Sequence, residues 1–230
     1  MDIKYDTDNL KNELVLDGYN HNIKIKNSFS YLFIKRLIDI VGSLVGIILF
    51  SPIFLSVAVA IKIEDPKGNV IFGHKRVGKN GMLFPCYKFR SMFANAEEMK
   101  SNFTEEQIKE YAETFKLNDD PRITKVGNFI RKTSIDELPQ LFNIFKGEMS
   151  VVGPRPIVTE ELEFYGEYEE YYKSVKPGLT GLWQVSGRSD TSYDERVSLD
   201  MKYISTRNIL KDLYIIMMTV VKVLKREGSY

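Results

Sequence analysis

The chain of 230 residues carries one cysteine, Cys86, and only two histidines, His21 and His74. A single thiol excludes an internal disulfide and a cysteine-built zinc cluster. Two histidines argue against a histidine-ligated metal centre and against a Ser-His-Asp triad. The formal net charge of +1 gives no global attraction for nucleic acid, so no nucleic-acid partner is expected. A secretory signal is also missing from the reading, because the first long apolar run starts late and has no small-residue cleavage site. What remains for chemistry is Asp, Glu, Lys and Arg, with a bound hard cation as their natural companion. The length suits one main domain.

Residues 1–30 are polar and without period, and read as a variable, flexible tail. The apolar run LIDIVGSLVGIILFSPIFLSVAVAI follows at 37–61. As one straight helix it would rise about 37 Å, against a hydrocarbon core of about 30 Å. Ser51-Pro52 interrupts it, since proline removes a backbone donor and kinks a helix. Each arm is then too short to span alone. Both flanks are basic, with Lys24, Lys26, Lys35 and Arg36 before and Lys62, Lys67, Lys75 and Arg76 after. That distribution places both ends on the cytoplasmic side. A helix-break-helix hairpin that enters and leaves one leaflet meets all three conditions. A kinked span and a buried soluble helix are the alternatives. The Ser51 hydroxyl is expected to satisfy a carbonyl freed by Pro52, and Asp39 to pair with Arg36 at i, i+3.

Two strands are expected at 70–72 and 83–89, joined through Asn80-Gly81, with Pro85 marking an edge or bulge. Lys75, Arg76, Lys79, Lys88 and Arg90 make this hairpin basic, suited to anionic headgroups or to direct phosphate binding. Thr104-x-x-Gln107 and Ser192-x-x-Glu195 match capping boxes. Residues 159–174 read as an amphipathic helix. The segment 208–228 reads as an interfacial or core helix.

The densest chemistry lies in RKTSIDELPQLFN, 131–143. Asp136 and Glu137 stand between Arg131-Lys132 and an apolar face at Leu138, Leu141, Phe142 and Phe145. Ser134 and Glu137 also match a capping box, which leaves simple capping open beside a nucleophile or metal-ligand role. Downstream, Pro154-Arg155-Pro156 holds one guanidinium on a stiff backbone, suited to bidentate phosphate recognition. KPGLTGLWQVSGRSD (176–190) is a glycine-punctuated loop with Trp183 and Gln184 placed to meet a base or sugar, or Trp183 to anchor the core.

Together, YKFRSM, RKTSIDELPQLFNIFKGEMSVVGPRP and KPGLTGLWQVSGRS, with the Ser-Pro-broken apolar run, resemble the bacterial sugar transferases. These are monotopic polyprenyl-phosphate phosphoglycosyl transferases, and the resemblance covers about residues 31–228. It implies an α+β, mostly helical fold: a re-entrant membrane hairpin at 31–62, and an interfacial cytoplasmic catalytic domain at 63–230 with amphipathic helices and a short β-hairpin. It implies transfer of a sugar 1-phosphate from a UDP-sugar to undecaprenyl phosphate, releasing UMP, in exopolysaccharide or capsule synthesis. Asp136 would be the nucleophile and would bind Mg²⁺, with Glu137 orienting the site or moving protons. Arg131 would lie near the lipid phosphate, and Pro154, Arg155 and Pro156 would form the nucleotide loop. Lys88, Arg90, Trp183, Gln184 and Arg188 complete the expected substrate contacts. The chain resembles the minimal form of the family, without the several N-terminal spans of larger members. GLWQVSGR, where many amino-sugar enzymes have GWAQVNGR, leans toward glucose or galactose. The expected location is the inner leaflet of a bacterial membrane, with a homodimer possible.

Overall fold

The protein is described by a computed structural model that covers residues 28–114, 117, 119–186 and 192–225. The expected tail up to residue 27, and Arg188, lie outside the described residues. The first element, α1 (Phe29–Leu49), ends at Phe50, and α2 (Ser51–Glu64) begins with Pro52 inside its first turn. Proline is tolerated there because its missing donor has no intrahelical partner. The Ser51 hydroxyl donates to the Ile48 carbonyl at 2.8 Å, as the sequence suggested. Among the described residues no single helix is long and apolar enough to cross a membrane; α1 and α2 reach that length and composition only as a pair, bent by 58°. Leu37, Val41, Val45, Ile48 and Leu49 of α1, with Leu55, Val59 and Ile63 of α2, are exposed.

Asp39 does not pair with Arg36. Asp39 is buried and accepts hydrogen bonds from the Ser150 hydroxyl (2.9 Å) and the Val151 N–H (2.8 Å). Arg36 reaches along the chain instead and donates to the carbonyls of Ile144 and Phe145, each at 2.8 Å. An i, i+3 ion pair on an exposed helix contributes only a few tenths of a kcal/mol, ~0.2–0.5. Completing buried or helix-terminal groups is worth more, and the tertiary partners win.

Strands β1 (Ile71–Val77) and β2 (Leu83–Phe89) form an antiparallel hairpin, Ile71 opposite Phe89 and Val77 opposite Leu83. Its turn uses positive φ at Asn80 (59°) and Gly81 (74°), the conformation that Asn-Gly favours. Pro85 sits in β2 of a sheet that is all edge, and the hairpin bonds onward through a side chain. Asn143 accepts from the Tyr87 N–H (3.0 Å) and donates to the Pro85 carbonyl (2.7 Å). After α3 (Glu105–Thr114), capped reciprocally by Thr104 and Gln107 as expected, come α4 (Lys125–Lys132) and α5 (Gln140–Lys146).

The second half contains a pairing that sequence reading did not anticipate. The short strands β3 (Ser150–Val152) and β4 (Gly178–Thr180) run parallel, Ser150 opposite Gly178. A Cβ on Gly178 would stand 2.1 Å from the Gly153 nitrogen, so the two backbones touch only because both residues are glycine. Between them, the expected helix at 159–174 is broken: a 3₁₀ stretch, Thr159–Tyr168, gives way at Gly166 (φ 47°) to the short α6 (Glu169–Lys173). β4 leads into α7 (Leu182–Ser186), then α8 (Tyr193–Thr206) with its Ser192–Glu195 capping box, then α9 (Ile209–Lys225). The largest core joins β3, α8 and α9 through Val152, Met201, Tyr203, Ile204 and Ile215. A second core packs Phe84, Cys86, Leu141 and Ile144 under Ile47 and Phe50, and so ties α1 to the hairpin.

Candidate active site

Helix α4 starts at Thr124, whose hydroxyl accepts from the Gly127 N–H at 2.8 Å, and it delivers Arg131 in its last turn. The chain then reverses at Ser134, which takes φ 55°, ψ 16°. For a residue with a side chain this costs of order 1–3 kcal/mol and persists only where the surroundings enforce it. The Ser134 side chain makes no cap bond, so the S-x-x-E signature is not a capping box here. A left-handed serine cannot present its hydroxyl as an extended N-cap does. Instead the Ile135–Glu137 stretch forms one 3₁₀ turn, Pro139 stands at the N-cap position of α5, and both carboxylates precede that helix.

They meet Lys88 of β2. Its ammonium lies 2.7 Å from Glu137 Oε1 and 3.7 Å from Asp136 Oδ2. Asp136 is buried, and that burial outweighs the cations: desolvation pushes its carboxyl up to about 6, opposed by Lys88 and Arg131 and assisted by Glu137. The cations moderate this rise without cancelling it, and at pH 7 the group is still mostly ionised. Arg131 is fixed by donating from Nε to the Ser91 hydroxyl at 2.8 Å, and its charge acts on Asp136. Cys86 also faces this region, but burial pushes its thiol up to about 11, so it supplies no thiolate.

Lys88, Glu137, Arg155, Pro156 and Gln184 line one cleft. Sequence reading had named all five. Pro154 is buried and does not line it; its carbonyl accepts from the Gly178 N–H at 2.8 Å. The Val77 N–H bonds to the Ile157 carbonyl at 2.9 Å, so the Pro-Arg-Pro loop is tied to β1. Trp183 lies beneath Arg155, whose guanidinium stands 5.5 Å from the ring, and Arg196 stands 5.1 Å from the same ring. Asp200, wholly buried below with Tyr165 donating at 2.8 Å, is pushed up to about 7 by desolvation. Arg90 is not brought into the cleft: Asp65 engages it through both its carboxylate and its carbonyl.

Arg76 and Gln140 line the cleft and were missed as site residues. The signal for Arg76 was available in the hairpin register. Arg76 lies opposite Phe84 and His74 opposite Cys86, so Arg76, Cys86 and Lys88 share one face while Lys75 points to the other. Among the described residues no group of three or more His, Cys, Asp and Glu side chains converges. Two adjacent hard carboxylates do fit Mg²⁺, which takes one or two such ligands and completes its shell with water and phosphate oxygens.

Residues 30–226 match the family described as bacterial sugar transferase. The undecaprenyl-phosphate galactose phosphotransferase of Salmonella typhimurium is 50% identical over 214 residues, covering 90% of this chain and 44% of that protein. The exopolysaccharide production protein ExoY of Rhizobium meliloti is 46% identical over 199 residues, covering 85% of this chain and 88% of ExoY. The UDP-galactose-lipid carrier transferase of Erwinia amylovora is 47% identical over 205 residues, covering 86% of this chain and 42% of that protein. The chain thus spans less than half the length of the Salmonella and Erwinia relatives and most of the length of ExoY.

Proposed function

The chain belongs to the bacterial sugar transferase family, and from that premise we propose that it transfers a hexose 1-phosphate from a UDP-sugar to undecaprenyl phosphate, releasing UMP. The names of the Salmonella and Erwinia relatives support galactose as the hexose, and the GLWQVSGR loop fits glucose equally. The observation that carries the proposal is Asp136: a buried carboxylate, mostly ionised at pH 7, acted on by Arg131 and 3.7 Å from the ammonium of Lys88, which lines the cleft together with Glu137 and Arg155.

In the proposed reaction an Asp136 carboxylate oxygen attacks the β-phosphorus of the UDP-sugar. The bond from that phosphorus to the bridging oxygen breaks, UMP leaves with the electron pair, and an aspartyl phosphosugar remains. An oxygen of the lipid phosphate then attacks the same phosphorus and expels the carboxylate, restoring Asp136. Lys88 and Arg155 offset the phosphate charge, and Glu137 holds Lys88 in place or moves a proton. Asp136, with Glu137 adjacent, would hold Mg²⁺, which supplies charge neutralisation at the transferring phosphoryl group. The exposed apolar faces of α1 and α2, their 58° bend and the basic flanks support a re-entrant hairpin with both ends on the cytoplasmic face of the membrane.

The test is rapid-quench intact-protein mass spectrometry with UDP-galactose and Mg²⁺ but no lipid. A hexose-phosphate adduct should map to the peptide holding Asp136 and disappear on adding undecaprenyl phosphate, with UMP as the nucleotide product. Release of UDP would make the protein a glycosyl transferase acting at carbon. Product formed only when both substrates are present together, with no adduct, would replace the covalent route by direct transfer.

A further inference from the structure

Arg76 has no part in the steps above, yet it lines the same cleft as Lys88 and Arg155. It is mostly withdrawn from solvent, and Arg155 lies near enough to repel it. Two guanidinium groups beside one cleft call for an anion between or beside them. The anion now present is Glu161. Its Oε2 stands 3.4 Å from Arg76 Nη1, longer than the ~2.7–2.9 Å of a strong charge-assisted bond. The other nitrogen of Arg76, Nη2, lies 3.1 Å from Nδ1 of His74. Arginine can only donate, so that ring nitrogen is unprotonated.

Glu161 is bound more firmly elsewhere. Oε2 accepts from the Val158 N–H at 2.9 Å, and Oε1 accepts from the Tyr193 hydroxyl at 3.2 Å and lies 3.4 Å from Arg196. The carboxylate would therefore keep its place if Arg76 turned away. Arg196 is also short of acceptors, because its Nε and Nη2 are buried without a partner.

We propose that Glu161 is a built-in counter-anion that holds Arg76 while the cleft is empty and yields it to the diphosphate of the substrate, making Arg76 a further substrate-binding residue. This rests on the cleft being the UDP-sugar site. The exchange favours a ligand with two phosphates. A diphosphate outcompetes one shared carboxylate for Arg76. UMP, with one phosphate, competes poorly, so Glu161 recaptures Arg76 as the product forms and eases its release.

The experiment is calorimetric binding of UDP-galactose, UDP-glucose and UMP to the full chain in detergent, comparing wild type, Arg76→Gln, Arg76→Lys, Glu161→Gln and the double variant Arg76→Gln/Glu161→Gln. Losing a hydrogen bond to a charged group predicts diphosphate binding weaker by about tenfold or more in Arg76→Gln, with UMP changed far less and Arg76→Lys in between. In Glu161→Gln the amide oxygen still accepts from Val158 while the charge is gone, so UDP-sugar binding should tighten by several-fold. That gain should vanish in the double variant. Unchanged or weaker binding in Glu161→Gln, or a gain that survives removal of Arg76, overturns the counter-anion role. Equal binding by wild type and Arg76→Gln overturns the role of Arg76. A wild type that binds no UDP-sugar while remaining folded overturns the sugar transferase reading itself, and the inference with it.

Discussion

Two buried aspartates show how differently one residue type is treated in the two ends of this molecule. Asp39, on α1, is 3% exposed, and Asp136, in the 3₁₀ turn before α5, is 8% exposed. Burial does not separate them; partners do. Asp39 is bonded by the Ser150 hydroxyl and the Val151 N–H, and it fastens α1 to β3. Asp136 has no other residue's hydrogen bond at a normal distance among the described residues: Lys88 waits at 3.7 Å, and its own backbone N–H helps. A satisfied buried carboxylate is a joint. An under-satisfied one keeps its oxygens free for a phosphorus atom or a cation, and its charge is held at a cost.

The sharpest way to test the contrast is to neutralise Asp136. Asp136→Asn should lower turnover by at least about a thousandfold, as expected when a covalent step is lost. The same variant should be more stable than wild type at pH 7 in metal-free buffer. The sign follows from a native value of about 6 against an ordinary 3.8. Protons bind the native state more tightly, so this group's contribution to stability is full below about pH 4 and gone above about pH 6. The amide removes a burden of on the order of 2–3 kcal/mol, read as a raised Tm. In the wild type the adduct-forming rate should fall as pH drops below about 6, since the protonated acid is a poor nucleophile.

The opposite outcome is expected at the other end. Asp39→Ala leaves the Ser150 hydroxyl and the Val151 N–H without their acceptor, which should cost about 1–3 kcal/mol in denaturant unfolding. Turnover per folded molecule should change little. A variant that keeps its stability but loses turnover would mean that Asp39 is more than a joint. The smallest effect is expected from Arg155→Lys, which keeps the charge but loses the planar fork. The apparent KM for the UDP-sugar should rise several-fold and that for the lipid phosphate should not. An equal rise in both would assign Arg155 to shaping the loop rather than to the nucleotide.

The same contrast explains what could be read from the sequence. Local devices were legible because they close within a few residues: the Asn80-Gly81 turn, the Thr104 and Ser192 caps, the helix break at Ser51-Pro52. The pair Asp136-Glu137 stood out from its neighbours and from the family motif, and the fold brings both carboxylates to Lys88. The partners of buried charges were not legible. Asp39 finds Ser150 across 111 positions, and Arg90 finds Asp65 across 25. β3 and β4 are three residues each, too short for a period to show. Ser134 is the instructive failure: its spacing to Glu137 spells a cap, but the tertiary fold turns its backbone left-handed and sends Glu137 to Lys88.

The break between α1 and α2 has a mechanical consequence. Both arms grip the platform that carries the Asp136 turn. On α1, a Cβ at Gly46 would sit 3.1 Å from Leu141, so the helix lies directly on α5. On α2, Phe54 meets Phe89 at 5.4 Å and Phe142 at 5.6 Å between ring centroids. No tether separates the bent helix pair from the carboxylate. If the hairpin inserts as proposed, it works as a depth gauge: the height of Asp136 over the bilayer is machined into the packing, and a phosphate anchored by its own long tail arrives at that one height.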